Sequence, residues 1–322
     1  MAYQAGDTIL DDHYNIFVQG GASAVDHGTA NVNTVWGSGT SDKGYGQSGG
    51  LSTVSAGSTI TATQWVNLLN RCSTIANHQG SSITAITNPS TGDTIAAYTA
   101  LSGNISTVFN NRLNCAASGT DITTGGSRTG TNTWYTSQQT VFTVTFSSAD
   151  HARYFFNGGG RIALSFSRSG GTASSKNTGW TNLCSACGTL YFTGGSGTAT
   201  IAGGSYSGTT KSGGSGSTTT LESAYGWHDY TGTYATIFKQ FDATYLYTAN
   251  YVQVDTYKSG ASIYYRVTFQ DNANTSGNPG ATQDEPVDGT LAATMVIKPP
   301  STTYISNTWG TPTMSSTAFS GS

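Results

Sequence analysis

Charge is what this chain has least of. Lys, Arg, Asp and Glu make up 9% of its 322 residues and the net charge is −3, whereas an average soluble domain is about a quarter charged. The Lys and Arg are scattered singly. That excludes electrostatic capture of nucleic acid or an anionic membrane, both of which need clustered cations. No apolar run approaches the roughly 18 residues of a membrane-spanning helix. The opening residues, MAYQAGDTILDDHYNIF, hold neither a basic n-region nor a long apolar h-region. No secretory leader is therefore expected, and folding is expected in a cytosol. Cys72, Cys115, Cys184 and Cys187 are accordingly expected as free thiols. Disorder is excluded from the other direction: a disordered chain is poor in aromatics and high in net charge. Here aromatics are 11% and Gly alone contributes 42 residues, with Ser, Thr, Asn and Tyr in place of the usual charges. A folded, loop-rich β protein is the expected class.

Helical periodicity is confined to the first third. In ITATQWVNLLNRCSTIANHQG, Trp65, Leu68, Leu69, Cys72, Ile75 and Ala76 recur at helical spacing. Thr61 and Gln64 form a capping box and Gly80 stands where the helix should stop. A second helix is expected after Asp93, with Ile95, Tyr98, Ile105, Val108 and Phe109 on one face and Gly103 weakening it. A shorter one is expected over 8–18, capped by Asp7. The Gly-rich stretch 20–50 has no period and is expected to contact something or to be partly mobile.

From about residue 120 the period changes to two. Phe142, Val144 and Phe146 alternate with threonines, and Ile162, Leu164 and Phe166 repeat the pattern. Further strands are expected over 234–241, 251–257, 262–269 and 290–298. The KSGA turn makes the middle two a hairpin with Ile263, Tyr265, Val267 and Phe269 inward. Strands punctuated by Gly-rich turns without intervening helices predict an antiparallel β-sandwich over 119–298. A smaller helix-and-loop region over 1–118 precedes it. The segment 193–220 is near low complexity and reads as a surface excursion. Residues 299–322 read as an extended tail, whose removal should leave the sandwich folded. In HARYFFNGGG (151–160), Ser147 and Asp150 match a capping box for a helix over 148–156, with Asn157-Gly158 as its left-handed stop. The aromatics would cover the end of the core.

Chemistry-bearing residues are few and dispersed. Cys184 and Cys187 have the spacing of half a zinc site, but Cys72 and Cys115 lie elsewhere without it. A redox pair would need this motif to open a helix in a βαβ unit. Asn272, Asn274, Ser276 and Gly277 match a calcium loop in spacing, yet the side-chain ligands are neutral and position 12 is Gln283, so a turn is expected. His13, His27, His78, His151 and His228 are isolated. Asp26-His27 and His228-Asp229 are adjacent pairs, and strand neighbours point to opposite faces. No nucleophile elbow, zinc-protease helix or phosphate loop is present. No catalytic residue, cofactor or metal ligand is assigned, and the chain is read as a non-enzyme. Paired carboxylates for sugar hydrolysis can lie far apart in sequence and stay open as a third reading. Tyr225, Trp227 and Tyr230, in SAYGWHDYTGTY, suit either an interface or a glycan-stacking platform, with burial as the plain alternative.

GYGQ (44–47), ITATQWVNLLNRCSTIANHQG (60–80), ARYFFNGGGRIALSFSRSGG (152–171), YYRVTFQD (264–271) and DEPVDGTLAATM (284–295) resemble blocks of virion structural proteins of tailed bacteriophages, especially phages of cyanobacteria and other aquatic bacteria. The resemblance implies a repeated, non-enzymatic component of the tail, neck or fibre apparatus, located in the virion. It brings no catalytic residues. The implied partners are the chain itself, as a trimer if it is a fibre, and other virion proteins. A glycan-binding receptor module, with a host-surface glycan as ligand, is the alternative. Contacts between subunits are expected from 20–50 and 299–322, whose backbone groups need partners.

Overall fold

The computed structural model describes residues 11–21, 30–37, 39–90, 97–216, 218–244, 246–273 and 285–321. Its N-terminal part carries α1 (Asp11–Gln19), α2 (Val32–Trp36), α3 (Ala62–Gln79) and α4 (Tyr98–Asn110). The Thr61–Gln64 box opens α3 as expected: Gln64 N–H donates to Thr61 Oγ1 at 3.2 Å, and Thr61 N–H to Gln64 Oε1 at 2.9 Å. Gly80, left-handed, closes it. All six apolar positions of its predicted face are buried. They pack against Leu101, Ile105 and Val108 of α4 and against Val32 and Val35 of α2. Asp7, residues 8–10, Asp93 and Ile95 lie outside the described residues.

The remainder alternates. The strands are β1 (Ser127–Gly130), β2 (Ser137–Thr145), β3 (Arg161–Ser169), β4 (Thr189–Phe192), β5 (Ala199–Ile201), β6 (Gly204–Tyr206), β7 (Thr209–Ser212), β8 (Thr218–Leu221), β9 (Ala235–Phe241), β10 (Tyr251–Ser259), β11 (Ser262–Gln270), β12 (Thr290–Lys298) and β13 (Thr313–Ser316). One sheet runs β1-β12-β3-β4-β7, the other β13-β2-β11-β10-β9-β8, and β5-β6 is a separate hairpin; every strand pair is antiparallel. The fold is mainly β, an antiparallel sandwich with a smaller helical N-terminal part. The KSGA hairpin pairs Ser259 with Ser262, and Ile263, Tyr265, Val267 and Phe269 face the core. Between the sheets, Phe166 of β3 meets Phe269 of β11 edge to face at 5.7 Å, and Phe192 of β4 stacks on Tyr265 at 4.7 Å.

Three expectations fail. First, the sandwich is not free of helices: α5 (Ala149–Asn157) was legible, but α6 (Ser175–Ala186) was not. Its buried residues include Lys176, Asn177 and Gly179, types that a hydropathy pattern assigns to the surface. They are held by long-range partners: Lys176 Nζ lies 2.6 Å from Asp271 Oδ2 with both side chains fully buried, and Asn177 donates to Asp288 Oδ1. Second, 193–220 is no excursion. It contains β5 and β6, β7 at the edge of one sheet and the start of β8 at the edge of the other.

Third, 299–321 is not a free tail. It supplies β13, which pairs with β2 from Thr313↔Thr145 to Ser316↔Phe142, and it buries Ile305, Trp309, Met314 and Phe319. Gln47 clamps it to the Gly-rich segment: Gln47 Nε2 donates to Ser306 O at 2.9 Å and Ser306 N–H to Gln47 Oε1 at 2.8 Å. Part of that segment's backbone is also satisfied internally. Tyr45, Gly46 and Gln47 donate their N–H groups to Val35, Gly37 and Trp36 carbonyls at 2.8–3.0 Å. Residues 45–47 and Ser306 thus find hydrogen-bond partners within the chain.

Two stability measurements check this packing. Deleting 299–322 removes four buried apolar side chains, each worth about 1.5–3 kcal/mol, from a total of about 5–15 kcal/mol. The truncated chain is expected to lose cooperative thermal unfolding; a melt at the full-length temperature would refute the embedded segment. Gly103 lies inside α4 with nothing within 4 Å of where a Cβ would stand. Gly103→Ala is expected to raise stability by about 0.5–1 kcal/mol in urea titration.

Candidate functional site

The corner HARYFFNGGG joins the two parts of the molecule. Ser148 caps α5 by accepting from His151 N–H at 3.1 Å, and the helix carries Phe155, Phe156 and Asn157 inward. Asn157 is fully buried. Its Nδ2 reaches the carbonyls of Ser41, Lys43 and Gly44 at 3.1, 2.9 and 3.1 Å, in the Gly-rich segment more than a hundred residues away. Its Oδ1 lies 2.9 Å from His228 Nε2. Because the amide hydrogens face carbonyls, Oδ1 must accept, which places the His228 proton on Nε2. The turn differs from the expected one: Asn157 is still helical, Gly158 is right-handed at φ −72°, and Gly159 takes the left-handed conformation at φ +93°. A Cβ on Gly159 would collide with Cys115. Across the junction, Gly46 at φ +70° lies flat on the Tyr154 ring, where any side chain would clash.

Around this corner the polar groups hold backbone. His78 Nε2 sits 3.0 Å from Gly158 O; a carbonyl only accepts, so this ring too is protonated at Nε2. Arg153 donates to Lys43 O at 2.9 Å and also to Gly39 O. Tyr45 OH donates to Arg112 O at 2.8 Å and accepts from Gln79 Nε2 at 2.9 Å. Burial pushes both His78 and His228 down to about 4, with the Gly158 carbonyl opposing at His78. At His228, Asp42 and Asp229 oppose the fall while Lys258 and Arg153 assist it.

The three aromatics singled out in the sequence do not form an exposed platform. Trp227 and Tyr230 are buried and Tyr225 is half-buried. Trp227 stacks on Phe156 at 5.5 Å, and Lys258 Nζ sits 4.4 Å over its ring while donating to Trp227 O at 2.7 Å. Tyr230 contacts Tyr225 and Tyr265. The group closes the sandwich end beneath α5, so neither Trp227 nor Tyr230 offers a face for a sugar. Stacking within the core is the stronger use, since each ring removes a large apolar area from water.

His228 and Asp229 lie on a 3₁₀ turn, Trp227–Asp229, rather than on a strand, and both line one cavity of about 250 Å³. Its polar wall also includes Asp42, Arg112 and Asn114. Asp42 is ion-paired to Arg112, Asp229 Oδ2 accepts Gly226 N–H at 3.0 Å, and Asn114 Oδ1 accepts Thr200 N–H at 2.8 Å. The imidazole is neutral near pH 7 and its Nε2–H is committed to Asn157. These groups fix loops against one another. Among the described residues, no three His, Cys, Asp or Glu side chains are placed to hold a metal. All four cysteines are buried free thiols. Burial pushes Cys72 and Cys187 up to about 12 and Cys184 well above its ordinary value, so none is a thiolate at neutral pH. Asp26, His27, Asn274, Ser276, Gly277 and Gln283 lie outside the described residues.

In the sequence Asn157 has the pattern of a helix stop alone, and its partners at 41–44 and 228 leave no local signal. Two measurements test the junction. Asn157→Asp replaces the donor facing three carbonyls with an acceptor, and about 3 kcal/mol or more of stability should be lost in urea titration at pH 7. Protonation gives the second. Both rings bind protons near pH 6.5 when unfolded but only near 4 when folded, so the unfolded chain takes up more protons in between. Stability is therefore fully present above pH 6.5 and declines toward pH 4, by up to about 3 kcal/mol per ring. A His78→Gln/His228→Gln double variant should show a much flatter profile; an unchanged profile would refute the assignment.

No protein-family model, curated protein or solved structure matches this chain.

Proposed function

We propose that this chain is a structural component of a tailed-bacteriophage virion, in the tail, neck or fibre apparatus, used as a repeated subunit. One observation carries the reading. The blocks that resemble phage virion proteins are far apart in sequence, yet three of them meet at the Asn157 junction. GYGQ supplies Tyr45 and Gly46, the helix block supplies His78 and Gln79, and the ARYFFNGGG block supplies Tyr154, Asn157 and Gly158. Two more supply most of β11 and most of β12, central strands of the two sheets. The resemblance thus falls on residues that hold the scaffold together, as expected for a part whose task is shape. A rigid sandwich with few charges to desolvate also suits repeated interfaces.

With residues 45–47 and 313–316 engaged inside the chain, the sheet edges are proposed as further surfaces for subunit contacts. The outer sides of β1 and β8 offer backbone for strand addition. Exposed Leu221, at the end of β8, adds apolar surface there. A second reading, a glycan-binding module of the particle, keeps one supporting observation: an open polar cavity of about 630 Å³ between α3 and the loop 49–52.

Mass spectrometry of purified particles is the test. The chain is expected in multiple copies per particle, and its absence from particles that retain infectivity would overturn the reading.

A further inference from the structure

The cavity beside α3 has an unusual electrostatic composition. Its wall includes Trp36, Leu51, Asn67, Asn70, Arg71 and Thr74, and among the described residues Arg71 is the one formally charged residue lining it. No carboxylate of the described residues forms an ion pair with Arg71; Arg112, Arg153, Arg168 and Arg266 each have one, while Arg128 and Arg161, also without one, donate to Ser316 and Ser118. The guanidinium is nonetheless held in place. It lies 3.9 Å over the Trp36 ring and Nη2 donates to Gly49 O at 3.0 Å. Trp36 is itself anchored, through Nε1 to Ser48 O at 2.8 Å. Arg71 Nη1 is shielded from water and has no hydrogen-bond partner.

A fixed, partly desolvated cation with no counter-charge attracts an anion more strongly than a surface cation does. Its neighbours narrow the choice of anion. Asn67, Asn70 and Thr74 lie along the same side of α3, at spacings of three and four residues. The Asn67 and Asn70 side chains are exposed and hydrogen-bond no described residue. Each amide offers a donor and an acceptor, the pair that matches two adjacent hydroxyls. A phosphate dianion would call for a second cation, which the wall lacks. Trp36 and Leu51 supply apolar surface for the hydrophobic side of a ring.

We propose that this cavity binds a carboxylate-bearing sugar residue of an acidic polysaccharide, with Arg71 opposing the carboxylate and Asn67 and Asn70 bonding the ring hydroxyls. The inference rests on the glycan-binding reading and is independent of where in a particle the chain sits.

Calorimetric titration of the full chain with oligogalacturonate, and with the same oligosaccharide after reduction of its carboxyl groups, tests it. The acidic form should bind about tenfold or more tighter than the reduced form, and added salt should narrow the gap. Arg71→Gln should erase that preference while leaving weak binding of the reduced form. Asn67→Ala, at an exposed position that folding does not need, should weaken both forms. Melting temperatures of the variants separate loss of binding from loss of fold. Equal binding of both forms, or a preference that survives Arg71→Gln, overturns the assignment of Arg71 while leaving a glycan-binding role standing. Binding of neither form overturns the site.

Discussion

A single side-chain amide ties the molecule together. Asn157 stands at the end of α5, fully buried, with its nitrogen against three carbonyls of the segment 41–44 and its oxygen against His228. A buried carbonyl without a donor costs about 1–3 kcal/mol, so the Gly-rich segment can be buried only while that amide is present. The rest follows spatially. With 41–47 held there, Tyr45 reaches Gln79 and Arg112, Gln47 reaches Ser306, and the last strand is drawn onto β2. One apolar cluster consequently runs from Tyr14 in α1 to Phe319 near the C-terminal end.

The same economy of charge governs the sandwich. A chain with few ionisable residues places several of them inside, where isolated charges would be prohibitive. Lys176 meets Asp271, and Arg168 meets Asp288 while also donating to the Asn177 carbonyl at 3.0 Å. Both pairs seat α6 against the sheets. Such pairs add little net stability relative to apolar replacements, but removing one partner leaves the other stranded. They fix where α6 sits. Arg71 differs, since its partner is an indole and a carbonyl rather than a carboxylate.

Function and architecture meet at the cavity walls. At the His228 cavity the polar groups are turned to one another and hold loops, which suits a scaffold. Along α3 the Asn67 and Asn70 side chains are exposed and hydrogen-bond no described residue. The aromatics that looked most suited to sugars, Trp227 and Tyr230, instead close the sandwich end, and their neighbour Phe156 explains why: two large rings facing each other exclude water better than either could against a sugar.

The sequence by itself determined the elements whose partners are local or whose faces are purely apolar. The α3 cap and buried stripe, the KSGA hairpin and the alternating strands β2, β3, β11 and β12 could be read because periodicity and turn chemistry act within a few residues. Tertiary structure decided the course of α6, the pairing of β7, β8 and β13, and the burial of Tyr45, Gln47, Ile305, Trp309, Met314 and Phe319. In each case buried polar groups depend on partners distant along the chain: Lys176 on Asp271, Gln47 on Ser306, Asn157 on Ser41 and His228. Hydrophobic burial needs only an apolar face and so leaves a pattern in one dimension. A hydrogen bond needs a specific donor at a specific acceptor, and that match exists only once the chain has folded.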